Sequence, residues 1–110
     1  MAKTTVVIMI DGFDPEYLEC CPTSHLRSLA KQGVIGEARA MIPTVTNVNN
    51  VSLITASYPE NHGITSNYWL NRETGEEGYM ESGEYVEAET MFQRASKVGA
   101  RSLLVTAKDK

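Results

Sequence analysis

A chain of 110 residues with 42% hydrophobic and 22% charged positions has the composition of one soluble globular domain and too much apolar content for a disordered one. Ten Lys and Arg stand against fourteen Asp and Glu, a net charge of −4, and no basic run or stripe appears, which argues against a nucleic-acid polymer as partner. The longest apolar stretch, Val6 to Ile10, is far short of the roughly 20 residues that cross a bilayer, and it runs into Asp11 instead of a small-residue cleavage site. No membrane partner and a cytoplasmic location are therefore expected, and the adjacent Cys20 and Cys21, in no zinc spacing, read as free thiols of a reducing compartment.

In chain order, Thr4 to Ile10 is a β-branched run without alternation, the pattern of a strand buried on both faces of a parallel sheet. It stops at the turn pair Asp11-Gly12. Thr23 or Ser24 then offers an N-cap for a helix carrying Leu26, Leu29 and Ala30 on one side, with Gly33 as its stop. Val34 to Ile42 reads as a second extended segment closed by Pro43. A second helix is expected from Asn49 to about Ser57, with Val51, Leu53 and Ile54 inward and Pro59 ending it.

From Ser66 to Val86 the text turns to Gly, Glu, Asn and Tyr, and NRETGEEG has the form of a hairpin tip between Tyr68-Trp69 and Tyr79-Met80. A third helix carries Met91, Phe92, Ala95 and Val98 on one face with Gly99 beyond it, and Ser102 to Thr106 reads as another buried strand. This order implies an α/β layered fold with a mostly parallel sheet and right-handed crossovers, plus a surface hairpin at about 66–86.

In such sheets ligands gather beyond the carboxyl ends of strands and at helix N-termini, where Asp11 and the group Thr46, Asn47 and Asn49 fall. A carboxylate after a buried strand is a hard oxygen ligand for a divalent ion. A threonine hydroxyl becomes a nucleophile when a metal lowers its proton affinity. Neutral amides such as Asn67, or Asn49 near the helix start, can donate to a phosphoryl oxygen as negative charge builds on it. Each residue also has an ordinary reading: Asp11 as a turn residue, Thr44, Thr46 and Asn47 as caps, His62 as a hydrogen-bonded structural imidazole, His25 as solvated. The glutamates at 73, 76, 77, 81, 84, 87 and 89 read as a solvated acidic face without a calcium-loop spacing.

Taken together, VVIMIDGFDPEYL and PTVTNVNNVSLITASYPENHGITSN resemble the N-terminal part of the metal-dependent phosphodiesterase, nucleotide pyrophosphatase and phosphonoacetate hydrolase branch of the alkaline phosphatase superfamily. The resemblance spans about residues 5 to 67 at the level of motifs and the remainder through the order of elements. It implies an alkaline-phosphatase-like fold, Thr46 as catalytic nucleophile, Asp11 and Thr46 as ligands of one of two divalent ions (zinc first, manganese or iron as alternatives), and Asn67 as the phosphoryl-binding asparagine. Thr46-Asn47-Val48-Asn49-Asn50 is similar to phosphonoacetate hydrolases, where pyrophosphatases tend to read T-F-P-N-H, so a small phosphonate is the first-choice substrate and a phosphodiester the next. Val48 stands where the branch usually has proline, and Ala56 where it has glycine.

The branch completes its metal pair with an Asp-x-x-x-His, an Asp-His and a late His, none of which occurs in this text. With two donors a metal site does not close. The expectation is thus an N-terminal portion of one catalytic domain, ending at Lys108-Asp109-Lys110 just after a strand, inactive alone, with open edges that favour association with another copy. The competing reading is a non-catalytic domain that binds an anion or a partner, with Thr46 to Asn50 serving only as a helix start.

Overall fold

The computed structural model describes residues 4–106; Lys108, Asp109 and Lys110, on which the expected ending rests, lie outside the described residues. The chain clusters into two compact units, Met1–Arg39 and Ala40–Lys110.

In the first unit Thr4 to Ile10 forms no helix or strand and leads into Asp11 and Gly12, where the backbone turns with Gly12 at φ 71°. The sequence reading missed the next element, α1 (Glu16–Cys20), whose start has a local cause: the Asp14 carboxylate accepts from the Glu16 N–H at 2.9 Å. Helix α2 (Ser24–Gln32) begins after Thr23 and ends at Gly33, as its signals predict. Arg27 joins the two helices. Its Nε donates to the Leu18 carbonyl at 2.6 Å, and its Nη2 to those of Glu19 and Cys21 at 2.9 and 3.1 Å, so one guanidinium satisfies the open carbonyl end of α1.

The second unit is built on α3 (Thr46–Thr55), α4 (Pro59–His62), the hairpin strands β1 (Tyr68–Leu70) and β2 (Glu77–Tyr79), a single 3-10 turn at Gly83–Tyr85, and α5 (Met91–Lys97). Helix α3 starts three residues before the expected Asn49. It ends at Ala56, which takes the left-handed conformation, φ 52°, that glycine usually supplies at this position. Pro59, expected to end that helix, is instead the first residue of α4, where a missing N–H costs nothing. The inward residues differ as well: Val48 and Thr55 are buried, whereas Leu53 is 60% exposed. The turn into the following segment needs Gly63, at φ 79° with a Glu87 side-chain carbon 3.0 Å from where a Cβ would stand.

The hairpin is as expected, antiparallel with Tyr68 opposite Tyr79 and Trp69 opposite Gly78, its tip spanning 71–76. A side chain at 78 would meet the Trp69 indole at 3.2 Å, so glycine there lets the ring lie across β2 and face Tyr85, 6.3 Å between centroids. Tyr68 and Tyr79 meet edge to face at 5.0 Å. Desolvation, and then the Glu77 carboxylate, hold the Tyr68 hydroxyl above its ordinary pKa of 10.0. Helix α5 carries a capping box from Thr90 to Gln93.

The expected strands at 4–10, 34–42 and 102–106 join no sheet among the described residues. Among the described residues the one sheet is the two-stranded hairpin, so the parallel sheet predicted from these runs is absent here. The physical reason is that an extended segment becomes a strand only when a neighbour takes its N–H and C=O groups. Val6, Ile8 and Leu103 accordingly remain 73%, 76% and 85% exposed.

Candidate active site

The N-terminal turn of α3 collects most of the residues singled out from the sequence. Thr46 is its first residue and half-buried. The helix has no side-chain cap from its own Val45, and the open N–H of Asn47 is taken instead by Asn67, whose Oδ1 accepts it at 2.8 Å. A backbone N–H can only donate, so the amide oxygen of Asn67 faces the helix and its Nδ2 is the donor end left to address a ligand. Thr46 and Asn67, twenty-one positions apart in the chain, are thereby brought to one helix end.

Asn47 makes a second long reach. Its side-chain Nδ2 donates to the Met80 carbonyl at 3.1 Å, and the Met80 N–H donates to the Asn67 carbonyl at 3.0 Å, closing the base of the hairpin against the helix end. Asn49 is not available to a phosphoryl group as the sequence reading allowed. Its Oδ1 accepts from the Met41 N–H at 2.8 Å, and its Nδ2 lies against the carbonyls of Val45 and Met41 at 3.2 and 3.5 Å. That amide pins the chain entering α3, a structural task.

Behind this turn sits His62, fully buried, as the structural reading of it required. Its Nδ1 accepts from the Ile64 N–H at 3.1 Å, which leaves the proton on Nε2, 2.9 Å from Ser52 Oγ; the serine hydroxyl in turn donates to the Val48 carbonyl at 2.7 Å. The imidazole ties the segment leading to Asn67 to the first turns of α3. No isolated sequence signal marks this pairing, because Ser52 is an ordinary helical serine until the histidine is beside it.

Asp11 lies in the other unit, exposed at the turn after Ile10. Among the described residues no three His, Cys, Asp or Glu side chains converge to hold a metal ion. His25 is exposed on α2 and the acidic side chains of the hairpin tip are exposed. None of the described helices is long and apolar enough to cross a membrane.

Compared with known proteins, residues 5–107 match the type I phosphodiesterase / nucleotide pyrophosphatase family. The chain belongs to that family. Two curated members are an uncharacterized pyrophosphatase/phosphodiesterase of Schizosaccharomyces pombe, 37% identical over 76 residues, and a bis(5'-adenosyl)-triphosphatase of Xenopus laevis, 31% identical over 101 residues. These alignments cover 68% and 88% of this chain but 16% and 22% of the relatives.

Among solved structures, phosphonoacetate hydrolase from Sinorhizobium meliloti 1021, in complex with phosphonoacetate, superposes with a TM-score of 0.74 at 36% identity over 83% of this chain and 23% of that one. The same enzyme with phosphonoformate gives 37% identity and the same TM-score. The fold is thus alkaline-phosphatase-like, as the resemblance of the sequence implied, and the chain spans no more than about a quarter of the relatives it matches.

Proposed function

We propose that this chain is the nucleophile-bearing portion of a metal-dependent hydrolase that cleaves a phosphonate or phosphodiester bond, with phosphonoacetate the first substrate to try. One observation carries the reading: Asn67 Oδ1 receives the Asn47 N–H at 2.8 Å, bringing an oriented amide to the helix end that Thr46 begins. Thr46 gives up its hydroxyl proton to solvent and attacks phosphorus, its Oγ–P bond forming as the bond to the leaving group breaks, and the leaving group takes a proton from water. Asn67 donates from Nδ2 to a phosphoryl oxygen while negative charge grows there, and the positive end of the α3 dipole favours the same charge. Water then releases the phosphoryl group from the threonine.

Two divalent ions, zinc first, belong to this proposal as the chemistry that lowers the proton affinity of the threonine hydroxyl. The described residues do not make a closed site for them: Asp11 and Thr46 are two oxygen donors, where a zinc centre takes at least three protein ligands. The remaining ligands are proposed to lie outside this stretch, and the 110-residue chain is proposed to be inactive alone. Under the same reading, 4–10, 34–42 and 102–106 become parallel strands once flanked by neighbours. Association of copies through those edges and a cytoplasmic location are further parts of the proposal.

The experiment is a substitution series in the full-length gene product that carries this sequence, assayed with zinc or manganese. Thr46→Ala abolishes turnover of phosphonoacetate and of a chromogenic phosphodiester, and Thr46→Ser retains a fraction; unchanged turnover in Thr46→Ala sinks the assignment. A nucleotide reading is favoured by the 31% identity to a bis(5'-adenosyl)-triphosphatase over 88% of the chain. It wins if a dinucleoside polyphosphate has the higher kcat/KM.

A further inference from the structure

Asn47 makes two hydrogen bonds and a third joins their partners, and the one from its side chain has no part in the reading of Thr46 as nucleophile. Its backbone N–H holds Asn67 Oδ1 where the chain enters the hairpin, and its side-chain Nδ2 holds the Met80 carbonyl where the chain leaves it. Met80 N–H to Asn67 carbonyl joins those two ends to each other at 3.0 Å. One residue, next to Thr46 in sequence, therefore grips both feet of a hairpin whose strands begin and end beside them.

An amide can do this where a carboxylate cannot, since the group facing Met80 is a carbonyl oxygen and needs a donor. The cost of ordering a side chain to reach a partner 33 positions away is recovered only if the contact fixes something. What it fixes is the foot from which the Asn67 side chain projects.

We infer that Asn47 is a positioning residue: its side chain locks the base of the 67–80 hairpin to the nucleophile's helix, so that the Asn67 amide is held in one orientation toward the phosphoryl group. The kinetic consequence rests on the reading of Thr46 and Asn67 proposed above; the latch itself does not.

Two substitutions separate a latch from a helix-start residue. At the second position of α3, aspartate is favourable to the helix because of the dipole, yet it has no hydrogen to give Met80. A residue serving only the helix would accept Asn47→Asp with undiminished protection throughout. As a latch, Asn47→Asp and Asn47→Ala both speed amide hydrogen exchange at Met80, whose N–H is bonded to the Asn67 carbonyl, in the 110-residue chain, while the amides at the centre of α3 keep their protection.

In the full-length enzyme the neutral variant Asn47→Ala lowers kcat about tenfold with KM within about twofold, the pattern of an interaction made only in the transition state. Asn47→Gln, which keeps the donor, recovers part of the loss. Unchanged exchange at Met80 in both variants overturns the latch. A KM rise at constant kcat overturns the positioning role and makes Asn47 a substrate contact. Failure of the function reading shows elsewhere, as full turnover in Thr46→Ala, and leaves the exchange result standing.

Discussion

The first turn of α3 and the segment Thr4 to Ile10 are both stretches that the sequence marks as flanking a site, and they end up in opposite conditions. The helix turn is fastened by Asn67, Met80 and, through Ser52, the buried His62. In Thr4 to Ile10, by contrast, Val6, Val7 and Ile8 are 69% to 76% exposed. The difference lies in what each element needs: a helix satisfies its interior backbone groups by itself and wants only a cap at each end. A few amides in the same unit can provide that, whereas a strand needs a whole ladder alongside.

The strongest way to break this contrast is at His62. In His62→Ala the Ile64 N–H loses its acceptor, Ser52 Oγ loses the imidazole donor while still donating to the Val48 carbonyl, and a cavity replaces a fully buried ring. A loss of about 2 to 4 kcal/mol follows from unpaired buried groups and the missing volume. Urea denaturation of the chain measures it; a loss under about 1 kcal/mol would mean that the helix end does not depend on the imidazole. In the first unit Arg27→Ala removes three contacts to carbonyls, but at an exposed site. About 1 kcal/mol is expected, read as faster hydrogen exchange in α1 with α2 little changed.

How much was legible follows the same division. Helix α2 has its start at Thr23-Ser24 and its stop at Gly33 in plain text, and the hairpin tip and the Thr90 capping box are equally local. The start of α3 was placed late because its cap comes from Asn67 and not from a neighbouring residue. The asparagines could be read as donors but not sorted: Asn49 turns inward to Met41, Asn67 faces the helix end, and only the folded chain distinguishes them. The runs at 4–10, 34–42 and 102–106 were legible as extended or buried-strand segments, and no sheet containing them is present among the described residues. Short α1 was missed although Asp14-Pro15-Glu16 carries its start signal.

A smaller effect sharpens the comparison from the other end of α3. Ala56 sits at φ 52°, where a Cβ crowds the following carbonyl, and its methyl is exposed, so little burial is lost by removing it. Ala56→Gly therefore stabilises by about 0.5 to 1 kcal/mol, the strain relieved exceeding the entropy gained by the unfolded glycine. A rise in the urea midpoint with unchanged slope checks it, and a fall would show the left-handed residue to be unstrained.

The smallest effect concerns Glu89, beside α5 and held by Lys97 and Arg94. Its hydrogen bond to Lys97 outweighs the opposing desolvation and, with the charges of Lys97 and Arg94, holds the carboxyl below its ordinary 4.5. The unfolded chain therefore binds this proton more readily than the folded one, so the contribution is complete above the ordinary carboxylate range and disappears as pH falls through the lowered folded value. Because all three side chains reach solvent and salt screens them, the effect is slight. Glu89→Gln leaves stability near neutral pH a little lower and flattens the acid limb of the stability curve, and added salt narrows the gap between the two proteins. If the acid limbs coincide at low salt, the pairing at the start of α5 contributes nothing, and the capping box of Thr90 and Gln93 alone holds that end of the helix.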